Sequence, residues 1–226
     1  MGIITILPET TKNPISLIGS RAGHCWGANV QDFEANYKRG LDCIESGHGR
    51  TLEFVNIEML IEGYSARVIR EWYTHIGGDP TRLQASTRYI DYSDFKYITP
   101  GSIYEKPGAE RIYNYVMETI QRGCKSLEDI GIPREDVGYL LPLGMTTVVV
   151  DKRNVRNLID MSRQRMCNRA LWEYRDLIED ICAALHSYSD EWAYLVDTQM
   201  MPKCEFLGHC PEKNSCGMMP KKEDVR

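Results

Sequence analysis

The chain has 226 residues, with 27 Lys and Arg against 32 Asp and Glu, so its formal net charge is −5. A hydrophobic fraction of 42% and a charged fraction of 26% are typical of globular proteins and exclude a disordered chain. The acidic balance argues against nucleic acid as the main partner, although it leaves room for a local basic pocket that binds a small anion. No apolar stretch approaches the roughly 18 residues that a membrane span needs, and no signal peptide is evident. We therefore expect a cytoplasmic protein with no membrane partner.

The first third of the chain contains two helix patterns and one strand pattern. Apolar residues at steps of three and four predict a helix over residues 30–44, which Gly47 ends. Alternating apolar residues predict a strand over residues 55–61 with one buried face. Ser65 can cap a second helix, whose apolar positions continue to Ile76.

A turn and a polar loop are predicted after this second helix. The sequence Gly77-Gly78-Asp79-Pro80 should stop the helix, because glycine and proline do not continue it. Residues 82–91 are mostly polar, and we expect a loop there with a short extended end at Tyr89-Ile90.

The second half of the chain is predicted to be mainly helical. A helix is expected over residues 109–121, and Pro133 can open a short helix because its missing N–H costs nothing in the first turn. The β-branched run at residues 145–150 predicts a buried strand, and residues 154–186 predict one or two long helices. We expect one domain over residues 1–201 and a Cys-containing tail over residues 202–226.

The order of the elements predicts the α+β class. Helices and strands are mixed without a regular βαβ alternation. Neither the dinucleotide-binding G-x-G-x-x-G nor the P-loop G-x-x-x-x-G-K-[ST] is present. A nucleotide would therefore be bound by side chains from several elements.

Two segments contain residues suited to a polar site. In the first, His75 at a helix end leads into a loop with Ser86 and Arg88, which offer the hydroxyl and guanidinium groups that hold phosphate. In the second, Asn154 and Arg165 are eleven residues apart, about three helical turns, so both can project from one face. The alternatives without a binding role are that the first segment is a solvated surface loop and that the charges of the second are solvated on the helix surface.

Together these segments resemble the flavin-dependent thymidylate synthases, which methylate dUMP without a cysteine nucleophile. The resemblance lies in REWYTHIGGDPTRLQASTRYIDY at residues 70–92, in GHGRTLEF at 47–54, and in YLLPLGMTTVVVDKRNVRNLIDMSRQRMCNRALWEYR at 139–175. It covers roughly residues 20–190, with the three motifs in the family's order.

The resemblance implies a fold, a reaction and an assembly. The fold would be a mixed, mainly antiparallel sheet flanked by long helices. The reaction would be the reductive methylation of dUMP to dTMP, with FAD as cofactor and NADPH and methylenetetrahydrofolate as co-substrates. The family's active site is shared among subunits, which implies a homotetramer.

The resemblance also assigns roles to individual residues. Arg165 matches the catalytic arginine that contacts the uracil carbonyl and would stabilise negative charge on the pyrimidine oxygen. The positions that hold the nucleotide phosphate and sugar are Ser86, Thr87 and Arg88. The cofactor positions are His75, Asn154, Arg156 and Asp160 for the flavin, and His48, Glu53 and Tyr89 on the folate side.

The sequence departs from the family pattern at several cationic positions. Thr74 and Ile76 stand where the signature has two arginines on either side of His75. Arg50, Arg82 or Arg163 could replace the lost charge. The departures leave two alternatives open: a flavin enzyme of the same scaffold that acts on another pyrimidine nucleotide, and a non-catalytic protein that binds a nucleotide or a metal.

Four of the aromatic and imidazole side chains have plain structural interpretations. His48 could simply end the first helix, where an imidazolium favours the helix dipole. Tyr89 could be strand core. Trp72 and Trp172 lie on apolar helix stripes, which favours core packing over ring stacking with a ligand.

The eight cysteines divide into two groups. No cysteine occupies a matched site position, and five of them are interpreted as reduced small hydrophobes: Cys25, Cys43, Cys124, Cys167 and Cys182. The tail holds three more cysteines and a histidine, enough donors for a Cys₃His zinc site: Cys204, His209, Cys210 and Cys216. An iron–sulfur cluster and a mobile tail that binds no metal are the alternatives.

Overall fold

The computed structural model describes residues 2–225. Its strands form one four-stranded sheet with the order β1-β2-β4-β3. The strands are β1 (Ile3–Ile6), β2 (Asn56–Ser65), β3 (Thr81–Gln84) and β4 (Thr146–Asn154). The α-helices of the described residues are α1 (Pro14–Gly23), α2 (Phe33–Glu45), α3 (Ala66–Trp72), α4 (Gly101–Tyr104), α5 (Ala109–Asp129), α6 (Arg134–Val137), α7 (Val155–Arg165), α8 (Trp172–His186), α9 (Asp190–Gln199) and α10 (Lys203–Leu207). The α+β class is confirmed.

The described chain divides into two compact units. The first unit comprises residues 2–3, 61–74 and 83–149, and the second comprises residues 4–60, 75–82 and 150–225. Residues 202–225 belong to the second unit, and their separate role as a tail remains a prediction. None of the described helices is both long enough and apolar enough to cross a membrane.

Two glycines let α1 and α2 cross closely in the second unit. A Cβ on Gly19 would lie 1.8 Å from the Asn36 carbonyl oxygen, and one on Gly40 would lie 2.0 Å from the Ile15 carbonyl oxygen. Any larger residue at either position would push the two backbones apart. Asp32 begins α2 by accepting a hydrogen bond from the Ala35 N–H, as a capping carboxylate does.

The helices α7, α8 and α9 contribute fully buried side chains to the core of the second unit. The apolar residues of β2 alternate with more exposed ones, as the sequence predicts for a strand with one buried face. Leu158 of α7, Leu177 of α8 and Trp192 of α9 are at most 1% exposed. The Trp192 indole N–H donates to the Thr11 carbonyl at 2.7 Å, so the ring is buried with its polar atom satisfied.

The first unit is built around the long helix α5. Met117 of α5 packs with Phe95 and Met145 in a small core bordered by tyrosines. The only fully buried residues of this helix are Met117 and Cys124, so most of its apolar stripe faces outward. Ile112 and Tyr115 are 65% and 64% exposed.

Most predicted elements are confirmed, with changes at their ends. The helix at 30–44 is α2, the Ser65 cap of α3 is present and accepts from the Val68 N–H, and residues 154–186 form two helices. Helix α3 ends at Trp72, four residues before Ile76. The predicted extended end at Tyr89-Ile90 is wrong, because those residues lie in a turn and the strand β3 comes earlier.

Candidate active site

Arg165 is held by two aromatic rings at the end of α7. Its Nε donates to His75 Nε2 at 3.0 Å, and its Cζ lies 4.8 Å from the centre of the Tyr174 ring. The rings of His75 and Tyr174 meet edge to face, with centroids 6.0 Å apart. Stacking and hydrogen bonding together fix the plane of the guanidinium.

The environment of His75 keeps its imidazole neutral. Burial, the adjacent Arg165 charge and the more distant Arg153 charge lower the pKa of His75 from 6.5 to about 4. Because Nε2 accepts from Arg165, the neutral ring must hold its proton on Nδ1. The Arg165–His75 contact is therefore stable across neutral pH.

Strand β4 contains a buried ion pair. Arg153 and Asp151 are at most 2% exposed and bind each other through two hydrogen bonds of 2.6 Å. Arg153 Nη1 also donates to the Asn157 side chain at 2.7 Å and contacts the Met161 sulfur. This network ties the end of β4 to α7 and so fixes the base of the helix that ends at Arg165.

Asn154 joins α7 to the turn that follows α3. Its side-chain oxygen accepts from the Asn157 N–H at 2.9 Å, which caps α7, and its Nδ2 donates to the Gly78 carbonyl at 3.5 Å. Gly78 has a φ of +71°, and a Cβ there would lie 2.0 Å from Asn154 Nδ2. Glycine is thus required both by the backbone conformation and by the close approach of Asn154.

Several predicted cofactor residues line one cavity in the second unit. The cavity has a volume of about 310 Å³, and its walls include His48, Arg156, Asp160 and Arg163. Glu53, predicted on the folate side, pairs with Arg156 at 2.6 Å. The structure therefore brings His48, Glu53, Arg156 and Asp160 together.

Arg163 borders this cavity and a second, larger one. Its Cζ lies 3.6 Å from the centre of the Phe206 ring, and Nη2 donates to Gln199 Oε1 at 3.2 Å. Nε is buried without a hydrogen-bond partner among the described residues, and burial lowers the pKa of Arg163. A partly buried guanidinium with an unused N–H is suited to bind an anion.

The predicted phosphate-binding residues lie on an exposed loop of the first unit. The Ser86 hydroxyl accepts from the Arg88 N–H at 3.2 Å, and Arg88 Nε pairs with Glu135 at 3.1 Å. Thr87 and Tyr89 are exposed, Tyr89 by 72%. The interpretation of Tyr89 as strand core is therefore wrong, whereas its role at the folate side remains a prediction.

The two tryptophans have different environments. Trp72 is fully buried, as predicted for a core residue. The same prediction is wrong for Trp172, which begins α8 and is 38% exposed, because Glu173 and Tyr174 form the buried face of that first turn instead.

The tail cysteines surround the larger cavity, which has a volume of about 550 Å³. Cys204, Cys210 and Cys216 line it, but His209 is not among its lining residues in the described chain. No group of three or more His, Cys, Asp or Glu side chains within residues 2–225 is arranged to hold a single metal ion. The proposed Cys₃His set is not assembled around one point.

The sequence predictions missed three residues of these sites. Tyr174 looks like a helix-core residue in the sequence, yet its ring supports Arg165. Phe206 lies in the tail and stacks on Arg163. The sequence predicts Cys167 to be a reduced small hydrophobe, but it lines the larger cavity with the tail cysteines. The one sequence signal that links Cys167 to the site is its position two residues after Arg165.

Comparison with known proteins decides the family. The model of the family described as thymidylate synthase complementing protein, Thy1, matches residues 7–188. This chain belongs to that family. The Thy1 match covers α7, Arg165 and the Ser86 loop, but not the tail.

Relatives and solved structures support the Thy1 assignment. The flavin-dependent thymidylate synthase of Nitratidesulfovibrio vulgaris is 27% identical, over 95% of this chain and 94% of the relative. That of Clostridium tetani is also 27% identical, over 96% and 94%. A crystal structure of the Helicobacter pylori enzyme complexed with FAD and dUMP superposes with a TM-score of 0.69 at 18% identity, covering 88% of this chain and 99% of the other, which shows the shared fold.

Proposed function

We propose that this Thy1-family protein is a flavin-dependent thymidylate synthase that converts dUMP to dTMP. The observation that carries the proposal is Arg165, held at the end of α7 by a neutral His75 and by the Tyr174 ring. Relatives of similar length are named for this activity. NADPH and methylenetetrahydrofolate are proposed as co-substrates on the same basis.

Arg165 would act on the pyrimidine ring. A fixed cation next to the uracil carbonyl stabilises the negative charge that develops on the oxygen as C5 becomes nucleophilic. Because His75 is neutral, it adds no second positive charge beside Arg165. Ser86, Thr87 and Arg88 would hold the nucleotide phosphate and sugar through hydroxyl, backbone N–H and guanidinium groups.

The residues around the smaller cavity fit a phosphate-bearing cofactor such as FAD. Arg156 and Arg163 supply two cations to the cavity, and the unused Arg163 Nε–H can donate to a phosphate oxygen. When bound, FAD would supply the electron transfer that the side chains cannot perform. His75 and Asn154 would bind the flavin, together with Arg156 and Asp160, while His48, Glu53 and Tyr89 would lie on the folate side.

The substituted signature favours one competing candidate, an enzyme of this scaffold with another pyrimidine nucleotide. Thr74 donates its hydroxyl to the Glu71 carbonyl at 2.7 Å, and Ile76 is 68% exposed, so neither replaces an arginine. Arg163, which lines the smaller cavity, is one candidate to supply the lost charge.

Nucleotide-dependent thermal shift separates these candidates. We expect FAD-loaded protein to gain at least several degrees in Tm with dUMP and less with CMP, UMP or dCMP at equal concentration. Protein that binds no FAD, or that is stabilised more by another pyrimidine nucleotide, would contradict the proposal.

We also propose a homotetramer and a cytoplasmic location. The outward apolar stripe of α5, with Ile112 and Tyr115, supports association between copies. Light scattering should give a mass near four times 26.0 kDa. A monomer with full activity would rule out the tetramer.

A further inference from the structure

Four cysteines, not three, surround the larger cavity of the second unit. Cys167 comes from the turn between α7 and α8, and the other three come from the last 23 residues of the chain. The cysteines that line this cavity are Cys167, Cys204, Cys210 and Cys216. All four are free thiols.

The chain holds these cysteines in place through contacts that do not involve their sulfurs. Cys204 lies on α10, and the Cys210 N–H donates to the Pro220 carbonyl at 2.7 Å. Arg169 Nη1 donates to the Asn214 carbonyl at 2.7 Å, which fastens the tail to the turn that carries Cys167.

The charges around the cavity favour bound thiolates. Arg163, Arg165, Arg169 and Lys203 line the same cavity, with Glu212 as the opposing carboxylate. Four thiolates around a metal centre leave a net negative charge, and adjacent cations lower the cost of deprotonating the thiols. A cavity of apolar walls would give no such compensation.

The arrangement favours a cluster over a single ion. Tetrahedral zinc holds its sulfurs at about 2.3 Å, so neighbouring sulfurs lie about 3.8 Å apart. The cavity that these cysteines line has a volume of about 550 Å³, which is far more space than one zinc ion occupies. An iron–sulfur core spaces its four thiolate ligands more widely, because iron and sulfide lie between them.

We propose that Cys167, Cys204, Cys210 and Cys216 bind an iron–sulfur cluster. His209 is not a ligand of this centre, and its Nδ1 lies 3.0 Å from the Leu207 carbonyl oxygen instead. The cluster fastens the tail to the end of α7. The assignment stands on the four thiols and their cavity, independently of the thymidylate synthase activity.

Anaerobic purification of the full chain without an affinity tag tests this directly. Iron and acid-labile sulfide are measured on protein stripped of flavin, together with its Mössbauer spectrum. We expect equal amounts of iron and sulfide, about two or four of each per chain. Reconstitution with ferrous iron and sulfide provides the fully loaded sample.

Matched variants identify the ligands. Cys216→Ala removes an exposed side chain, so the fold should survive while the iron content falls at least about fivefold, since a cluster lacking one of its four thiolates is lost in purification. Cys25→Ala, which changes an exposed cysteine elsewhere, and His209→Ala should keep their iron. Circular dichroism spectra of all three should match the wild type.

Several results would overturn the cluster. These are less than about 0.2 iron per chain after reconstitution, stoichiometric zinc without sulfide, or a loss of iron in His209→Ala equal to that in Cys216→Ala. Assaying dTMP formation on the same samples separates this proposal from that of function, because either can fail while the other holds.

Discussion

Protonation of His75 should destabilise the protein in mildly acidic solution. Its pKa is lowered from 6.5 to about 4, so between these values the unfolded chain binds a proton that the folded chain does not. The stabilisation from keeping His75 neutral is complete above pH 6.5 and is lost as the pH falls toward 4. At pH 5 the two pKa values give a loss of about 2 kcal/mol relative to pH 7.5.

The matched variant is His75→Gln, whose side-chain oxygen can still accept from Arg165 Nε and does not titrate. The free energy of unfolding is measured in urea at pH 7.5, 6.5, 5.5 and 5.0 for both proteins. The wild type should lose about 2 kcal/mol more than the variant between pH 7.5 and 5.0. His24→Gln, at an exposed position after α1, controls for the loss of an imidazole.

A direct NMR titration of the His75 ring checks the same reasoning. A His75 that titrates near pH 6.5, or a variant whose pH dependence equals that of the wild type, would show that the ring is neither desolvated nor next to the Arg165 charge.

Two further substitutions test the supports of α7. Gly78→Ala should cost about 1–2 kcal/mol more than Gly47→Ala, because both have positive φ but only Gly78 faces Asn154, as urea unfolding would show; equal costs would contradict the contact. Asp151→Asn should cost about 3–5 kcal/mol, since it breaks a buried ion pair by removing one of the two charges, and calorimetry showing a change below 1 kcal/mol would contradict the buried pair.

Local signals in the sequence predicted the elements that hold the site. Ser65 and Asn154 are helix caps, and each side chain accepts a hydrogen bond from the backbone N–H three residues later. Serine and asparagine are residue types that favour this position, so the sequence itself carries the signal. The apolar alternation of β2 reports its buried face. Strand β3 was not predictable this way, because Thr81–Gln84 is polar and mostly exposed, without an apolar alternation.

Contacts between distant residues could not be predicted from spacing. Cys167 and Cys204 are 37 positions apart, and only the packing of α10 against α7 brings them to one cavity. The stacking of Arg163 on Phe206 has the same origin. Family resemblance did not help, because the family match ends at residue 188.

Formation of dTMP by wild-type protein and by Arg165→Ala tests the central claim most directly. The assay contains FAD, dUMP, methylenetetrahydrofolate and NADPH, and dTMP is quantified by mass spectrometry. We expect turnover by the wild type and by Arg21→Ala, an exposed arginine of α1, and a loss of about 100- to 1,000-fold in Arg165→Ala, whose circular dichroism spectrum should match the wild type. No dTMP from FAD-loaded wild type, or full activity in Arg165→Ala, would contradict the account.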